Sequence, residues 1–203
     1  MLSSRCLPTA GLMRIWLASN SARRAAWLTE HLASDLHCEG LVDVDESTPH
    51  SLVSERVVVA SRAKLNALPP NEYEIIIIAD TLVEDPDDPY QALGKPENEI
   101  EAAVMLHRLS GRRHKVWSAT IVVKGTDVHE FLDQAVVEFS QLSDEELIDL
   151  VTSGSWQGKA GGYDMAGAAS NRVSLVAGEE VTVLGLASSS IPLIDGLLVA
   201  TND

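Results

Sequence analysis

The chain has 203 residues, enough for one domain with a sizeable core; its 45% hydrophobic and 22% charged content excludes a disordered or fibrous chain. Acidic side chains number 30 and basic ones 15, and the net charge of −15 disfavours a sequence-independent nucleic-acid binder, which needs net basic surface. Apolar runs such as Ile75–Ala79 are far too short to span a bilayer, and two cysteines, Cys6 and Cys38, make no disulfide framework. With no Asn-x-Ser/Thr sequon present, a reducing, cytoplasmic setting is expected, with no membrane and no nucleic acid as partner.

Residues 1–12 lack a signal-peptide core and are expected to be a disordered extension, with Met13 an alternative start. A strand is predicted over Arg14–Ala18. Ser19-Asn20-Ser21 then offers cap hydroxyls to a helix over Ala22–Leu32. A second helix is predicted over Leu52–Leu68. Glu74–Ala79 is β-branched on both faces, as in a strand buried on both sides. Pro96 is expected to open a helix with Ala102, Met105, Leu106 and Leu109 on one face, ended by Gly111. Strands are predicted over Val116–Val123 and Glu130–Phe139. Ser143 and Glu146 form a capping box before Leu147 and Leu150. Two short strands, Arg172–Val176 and Glu180–Leu184, close the domain at residue 192, and residues 193–203 are expected to be a tail. This order predicts an α/β fold around a mixed sheet.

Four segments place charged groups at element ends. Ser19–Arg24 combines a strand-to-helix turn with two guanidinium groups, which suits either a phosphate site or an ordinary helix cap. Asp43, Asp45 and Glu46 are clustered carboxylates, suited either to Mg²⁺ or Mn²⁺ or to a solvated loop. Asp80 directly follows the buried isoleucine run. At the end of a central strand it would face the crevice where α/β proteins bind ligands, as a metal ligand or a base for water. Lys95 and Arg112 each adjoin a glycine at a predicted helix end; Lys95 would meet a phosphate, and Arg112 would meet one or answer the helix dipole. No Walker A motif, G-x-S-x-G elbow or H-E-x-x-H is present, and the six histidines make no metal pattern.

In order, these segments resemble the Maf family of nucleoside triphosphate pyrophosphatases. The resemblance rests on LASNSARR (residues 17–24), DVDE (43–46), Lys64, ADT (79–81), LGKP (93–96), LSGRRHKV (109–116), GKAGGYDMAG (158–167) and VLGLA (183–187), and spans about residues 14–192. It implies an elongated inosine triphosphatase-like fold, its mixed sheet flanked by helices and a cleft between two lobes. It also implies hydrolysis of a nucleoside triphosphate to a monophosphate and pyrophosphate with Mg²⁺ or Mn²⁺, and leaves a homodimer open. It makes Asp80 the general base, places the metal at Glu46, Asp45 and Asp80, and assigns substrate contacts to Ser19, Ser21, Arg23, Arg24, Lys64, Thr81, Lys95, Arg112 and Lys159. Arg23 and Thr81 match two of three positions tied to base preference in the uridine and thymidine branch. Ala166 stands at the third, where the family carries Gln, so base selectivity is expected to differ from that branch. Ala22 and Ala187 stand where the family has Pro, Gly158 where it has Asp, and Ala135 where it has Thr. A nucleotide-binding regulator with little turnover is the alternative function, and a phosphate-binding structural protein a third.

Overall fold

The computed structural model describes residues 13–32 and 35–199, so the expectation for residues 1–12 lies outside the described residues. The chain runs β1 (Arg14–Leu17), α1 (Ala22–His31), β2 (Asp35–Cys38), α2 (Val53–Asn66), β3 (Ile75–Glu84), β4 (Ala92–Leu93), α3 (Glu99–Leu109), β5 (Arg113–Lys124), β6 (Asp127–Phe139), α4 (Asp144–Thr152), β7 (Val173–Ala177), α5 (Glu180–Leu184) and α6 (Ile191–Val199). Single 3₁₀ turns cover Ala160–Gly162 and Ser188–Ser190. The mixed sheet has the order β2-β1-β3-β5-β6-β7, with β4 paired to β3. Strand β1 is parallel to both neighbours, while β3, β5, β6 and β7 pair antiparallel in series.

The isoleucine run sits at the centre because alternate side chains leave opposite faces of a strand. Ile75, Ile77 and Ala79 pack with Ile15, Leu17 and Leu28 on the α1 side. Ile76 and Ile78 pack with Trp16, Ile121 and Leu65 of α2 on the other. A second cluster, around Leu106, Leu109, Phe139 and Leu150, joins α3 and α4 to the far part of the sheet. The Ser143–Glu146 capping box forms in both directions and starts α4. Ser143→Ala is expected to lower stability by about 1 kcal/mol, read as a shift of the denaturation midpoint.

Four expectations need correction. Strand β3 does not stop at Ala79 but continues through Asp80 and Thr81 to Glu84, because β5 keeps pairing with it as far as Val83↔Val116. Helix α3 starts at Glu99 rather than at Pro96; the Asn98 side chain accepts from Glu101 N–H at 3.0 Å and outcompetes the proline as a start signal. Glu180–Leu184 is a helical turn and not a strand. Its two buried residues, Thr182 and Val183, are adjacent in sequence, which an alternating strand with one buried face does not produce, and Gly185 ends the turn at φ +115°. Residues beyond 192 are not all tail: α6 runs to Val199 and plants Ile194 in the core beside Leu28. Pro192, in its first turn, suits a helix start.

Among the described residues no helix is long and apolar enough to cross a membrane.

Candidate active site

The sheet itself makes the cleft. On one edge of β3, β1 pairs only as far as Leu17↔Ile77, and β4 pairs only from Val83 onward. Ala79 to Leu82 therefore have no strand beside them on that edge. Chain β1 has already turned away into α1, and Asp80 and Thr81 face the gap. The result is the crevice expected where neighbouring strands part, although Asp80 reaches it from mid-strand rather than from a strand end.

The cleft measures about 310 Å³ and brings together Ser19, Ser21, Arg23, Arg24, Glu46, Lys64, Asp80, Thr81 and Lys95. These nine residues come from β1–α1, the 39–46 loop, α2, β3 and the loop after β4. Ser21 caps α1 by accepting the Arg24 N–H, which leaves the first turn of the helix facing the cleft. Lys64, on the last turn of α2, places its ammonium 2.6 Å from Asp80 Oδ1 and 3.3 Å from Glu46 Oε1. Lys95 lines the cleft with no ion pair among the described residues.

Arg24 is the buried hub. Its guanidinium donates to the Gly185 carbonyl at 2.8 Å, to Ser19 Oγ at 2.9 Å and to Thr81 Oγ1 at 2.9 Å. Two of its five N–H groups remain for a ligand. Burial pushes the Arg24 pKa down to about 10, opposed by the charge of Asp80. Burial also lowers Arg23, against the pull of Asp164 and Tyr163. Gly185 is required here: a Cβ would stand 2.7 Å from Arg24 Nε and 3.0 Å from Thr81 Oγ1.

Three expected site residues lie elsewhere. Asp45 is exposed and accepts from Ser47 N–H, while its neighbours Val44 and Glu46 turn inward; the segment is a loop with Asp43 at φ +56°, so strand alternation does not apply. Arg112 pairs with Asp87 of the acidic 85–89 segment, whose Asp85 and Asp87 also hold Arg108. Lys159 donates to the Ser155 carbonyl at 2.7 Å and lies 3.5 Å from Asp164, while Gly158 and Ala160 on either side of it line the cleft. Ala166 is exposed and is not among the lining residues. Ala187 is compatible with a family proline at φ −62°, but its N–H donates to Thr120 Oγ1, a bond proline could not make.

Sequence reasoning missed Gly40, Leu41, Val44 and Leu184 as lining residues, and Ser118 and Gly185 as supports. Only alternation along the predicted strand 116–123 carried a signal for Ser118. A wider groove of about 770 Å³ lies beyond Gly40 and Leu41, against β2 and Tyr73, but it contains none of the expected site residues.

Among the described residues no three His, Cys, Asp or Glu side chains form a metal-binding group. Glu46 and Asp80 do supply two carboxylates to one cleft. That set fits a hard cation such as Mg²⁺, which keeps several waters and takes one or two carboxylates together with substrate phosphates. It does not fit a fully protein-ligated ion.

Fold and cleft define an α/β protein with cations, a helix N-terminus and two carboxylates arranged around one polar crevice. The chain belongs to the Maf family: the family model described as Maf-like protein matches residues 14–192. The dTTP/UTP pyrophosphatase of Bacillus cereus (strain G9842) is 35% identical over 180 residues, covering 86% of this chain and 90% of the relative. The dTTP/UTP pyrophosphatase of Novosphingobium aromaticivorans is 32% identical over 194 residues, covering 91% and 92%. Among solved structures, the Staphylococcus aureus Ham1 protein is similar at 20% identity and a TM-score of 0.41, covering 62% of this chain and 71% of that one.

Proposed function

We propose that this cleft hydrolyses a nucleoside triphosphate to a nucleoside monophosphate and pyrophosphate, with Asp80 as general base. The observation that carries this reading is the pairing of a strand-borne carboxylate, Asp80, with Lys64 at 2.6 Å, in one cleft with the start of α1 and Lys95. The names of the relatives point the same way. Attack at a phosphorus asks for positioned water and neutralised oxygens more than for a protein nucleophile.

In this reading the triphosphate lies against the first turn of α1, where free N–H groups and the helix dipole favour anions. Lys95 and Arg23 add positive charge in a protein whose net charge of −15 would otherwise repel the substrate. Asp80 accepts a proton from water as its oxygen bonds to the α-phosphorus. The bond from that phosphorus to the bridging oxygen breaks, and pyrophosphate leaves. Lys64 holds Asp80 and Glu46 in place. Glu46 and Asp80 would hold a Mg²⁺ or Mn²⁺ ion, which when bound supplies charge neutralisation to the phosphate oxygens.

The test is pyrophosphate release from a panel of nucleoside triphosphates with and without each metal. Release from none of them would refute the reading. A second check falls on Lys95. Lys95→Ala is expected to reduce kcat/KM by about 10–100-fold, the scale of one hydrogen bond to a charged group, with the loss shrinking at high salt. Unchanged kinetics at low and moderate salt would make Lys95 a solvated loop residue.

A further inference from the structure

Thr81 and Ser118 face each other across β3 and β5 as a register pair. Their hydroxyl oxygens lie 2.9 Å apart, a distance that leaves open which of them donates. The surroundings settle it. Ser118 Oγ lies 2.8 Å from the Thr182 carbonyl oxygen in α5. A carbonyl only accepts, so the single Ser118 hydrogen points to Thr182. That carbonyl is free for it: Leu186 N–H, the partner that a continuing helix would supply, turns to Val181 instead. With its hydrogen spent, Ser118 can only accept from Thr81, whose own hydrogen therefore points away from the cleft. Arg24 Nη2 meanwhile donates to Thr81 Oγ1 at 2.9 Å. Thr81 then has one lone pair left and no hydrogen to give.

Ser118 is fully buried, does not line the cleft and reaches it only through Thr81. We propose that Ser118 is a positioning residue for substrate selection: by taking the Thr81 hydrogen it makes Thr81 a fixed acceptor, so that the cleft selects nucleobases presenting a ring N–H. The proposal rests on the nucleotide reading above.

The rest follows from the chemistry of a nucleoside triphosphate. Its ionised phosphate oxygens only accept, so a hydroxyl that cannot donate is a poor neighbour for them. The phosphates belong at Lys95 and the start of α1, and Thr81 belongs to the nucleoside end. A sugar hydroxyl rotates to satisfy either polarity and gains little from a fixed acceptor. A base edge cannot rotate its hydrogens. At ring position 3 the uracil and thymine imide offers N3–H, whereas cytosine presents there a bare N3 that would meet the Thr81 lone pair with its own, its edge donor being the exocyclic N4–H₂ instead. The imide is common to the two substrates in the relatives' name. This requirement is independent of position 166, because Ala166 contributes neither donor nor acceptor from its side chain.

The experiment measures kcat/KM for UTP, CTP and N3-methyl UTP in the natural protein and in Ser118→Ala, Ser118→Thr and Thr81→Val. The natural protein is expected to prefer UTP over each of the others by at least about tenfold, as when a polar group is left without its partner. Ser118→Ala frees the Thr81 hydrogen to face the cleft, so the UTP-to-CTP ratio should fall at least threefold. Ser118→Thr restores the acceptor and should keep the ratio. A merely structural role would lower both substrates together and leave the ratio unchanged, which would overturn the proposal. If Ser118→Ala does not fold, Thr81→Val decides: loss of the acceptor should collapse the ratio, and an intact ratio would overturn the idea. UTP and CTP turned over within twofold of each other by the natural protein would also overturn it while leaving the pyrophosphatase reading standing. Release of pyrophosphate from no nucleotide would overturn both.

Discussion

Asp80→Asn is expected to leave a folded protein whose pyrophosphate release is reduced by about 10²–10⁴-fold, the usual contribution of a general base. The amide keeps the size of the carboxylate and leaves the β3–β5 backbone pairing at Asp80↔Ala119 intact. Lys64 is not stranded by the change, because Glu46 Oε1 remains 3.3 Å from its ammonium. What is lost is the capacity to take a proton from water. A rival account is that Asp80 serves only to hold Lys64 at 2.6 Å. The two are separated by a double-mutant cycle. If Asp80 acts through Lys64 alone, Lys64→Met costs as much as Asp80→Asn, and the double variant costs no more than either. If Asp80 is the base, Lys64→Met retains more activity than Asp80→Asn. Near-normal pyrophosphate release by folded Asp80→Asn would refute the assignment.

Much of the fold was legible because its signals are local. The isoleucine run fixes a strand buried on two faces, and Ser143 with Glu146 fixes a helix start. The errors arose where the deciding partner is distant in sequence. β3 runs on past Ala79 only because β5 continues to pair with it, and nothing within residues 79–84 announces that. Val181-Thr182-Val183 alternates like a strand, yet the turn that it forms is set by Gly185, whose missing side chain leaves room for Arg24 from the other end of the chain. The candidate site was legible as a series of ordered motifs, which placed nine residues in one cleft. It was not legible which charged residues answer one another outside it. Asp87 takes Arg112 and Asp164 takes Lys159, and spacing along the sequence does not separate a cation aimed at substrate from one engaged by an acidic neighbour. Ser118 was hidden for a related reason: its meaning lies in a hydrogen-bond chain across three elements.

The stability of the protein is expected to fall by about 3 kcal/mol between pH 6.5 and pH 4 through one histidine, His114. His114 lies in β5, buried between Phe139 of β6 and Tyr163, and its Nε2 is 2.8 Å from Tyr163 Oη. Its Nδ1 has no partner among the described residues. Burial pushes its pKa down to about 4 from an ordinary 6.5. The folded state therefore refuses a proton that the unfolded state accepts throughout that window. Stability contributed by the neutral ring is complete above the unfolded value and is lost as pH falls toward the folded one. Below about 4 both states carry the proton, so the loss from this group levels off. The carboxylates held low by partners, Asp85 by Arg108 and Glu146 by the Ser143 N–H, contribute their own losses further down in pH. His114→Phe removes the titration, and with it the Tyr163 bond, so the variant starts less stable but should respond less to acid. Urea denaturation at intervals from pH 7.5 to pH 4 reads both curves. The natural protein should show the steeper slope between pH 6.5 and pH 4, by close to one proton. Parallel curves would show that His114 takes up its proton in the folded state as readily as in the unfolded one, and that the Tyr163 contact does not depend on a neutral ring.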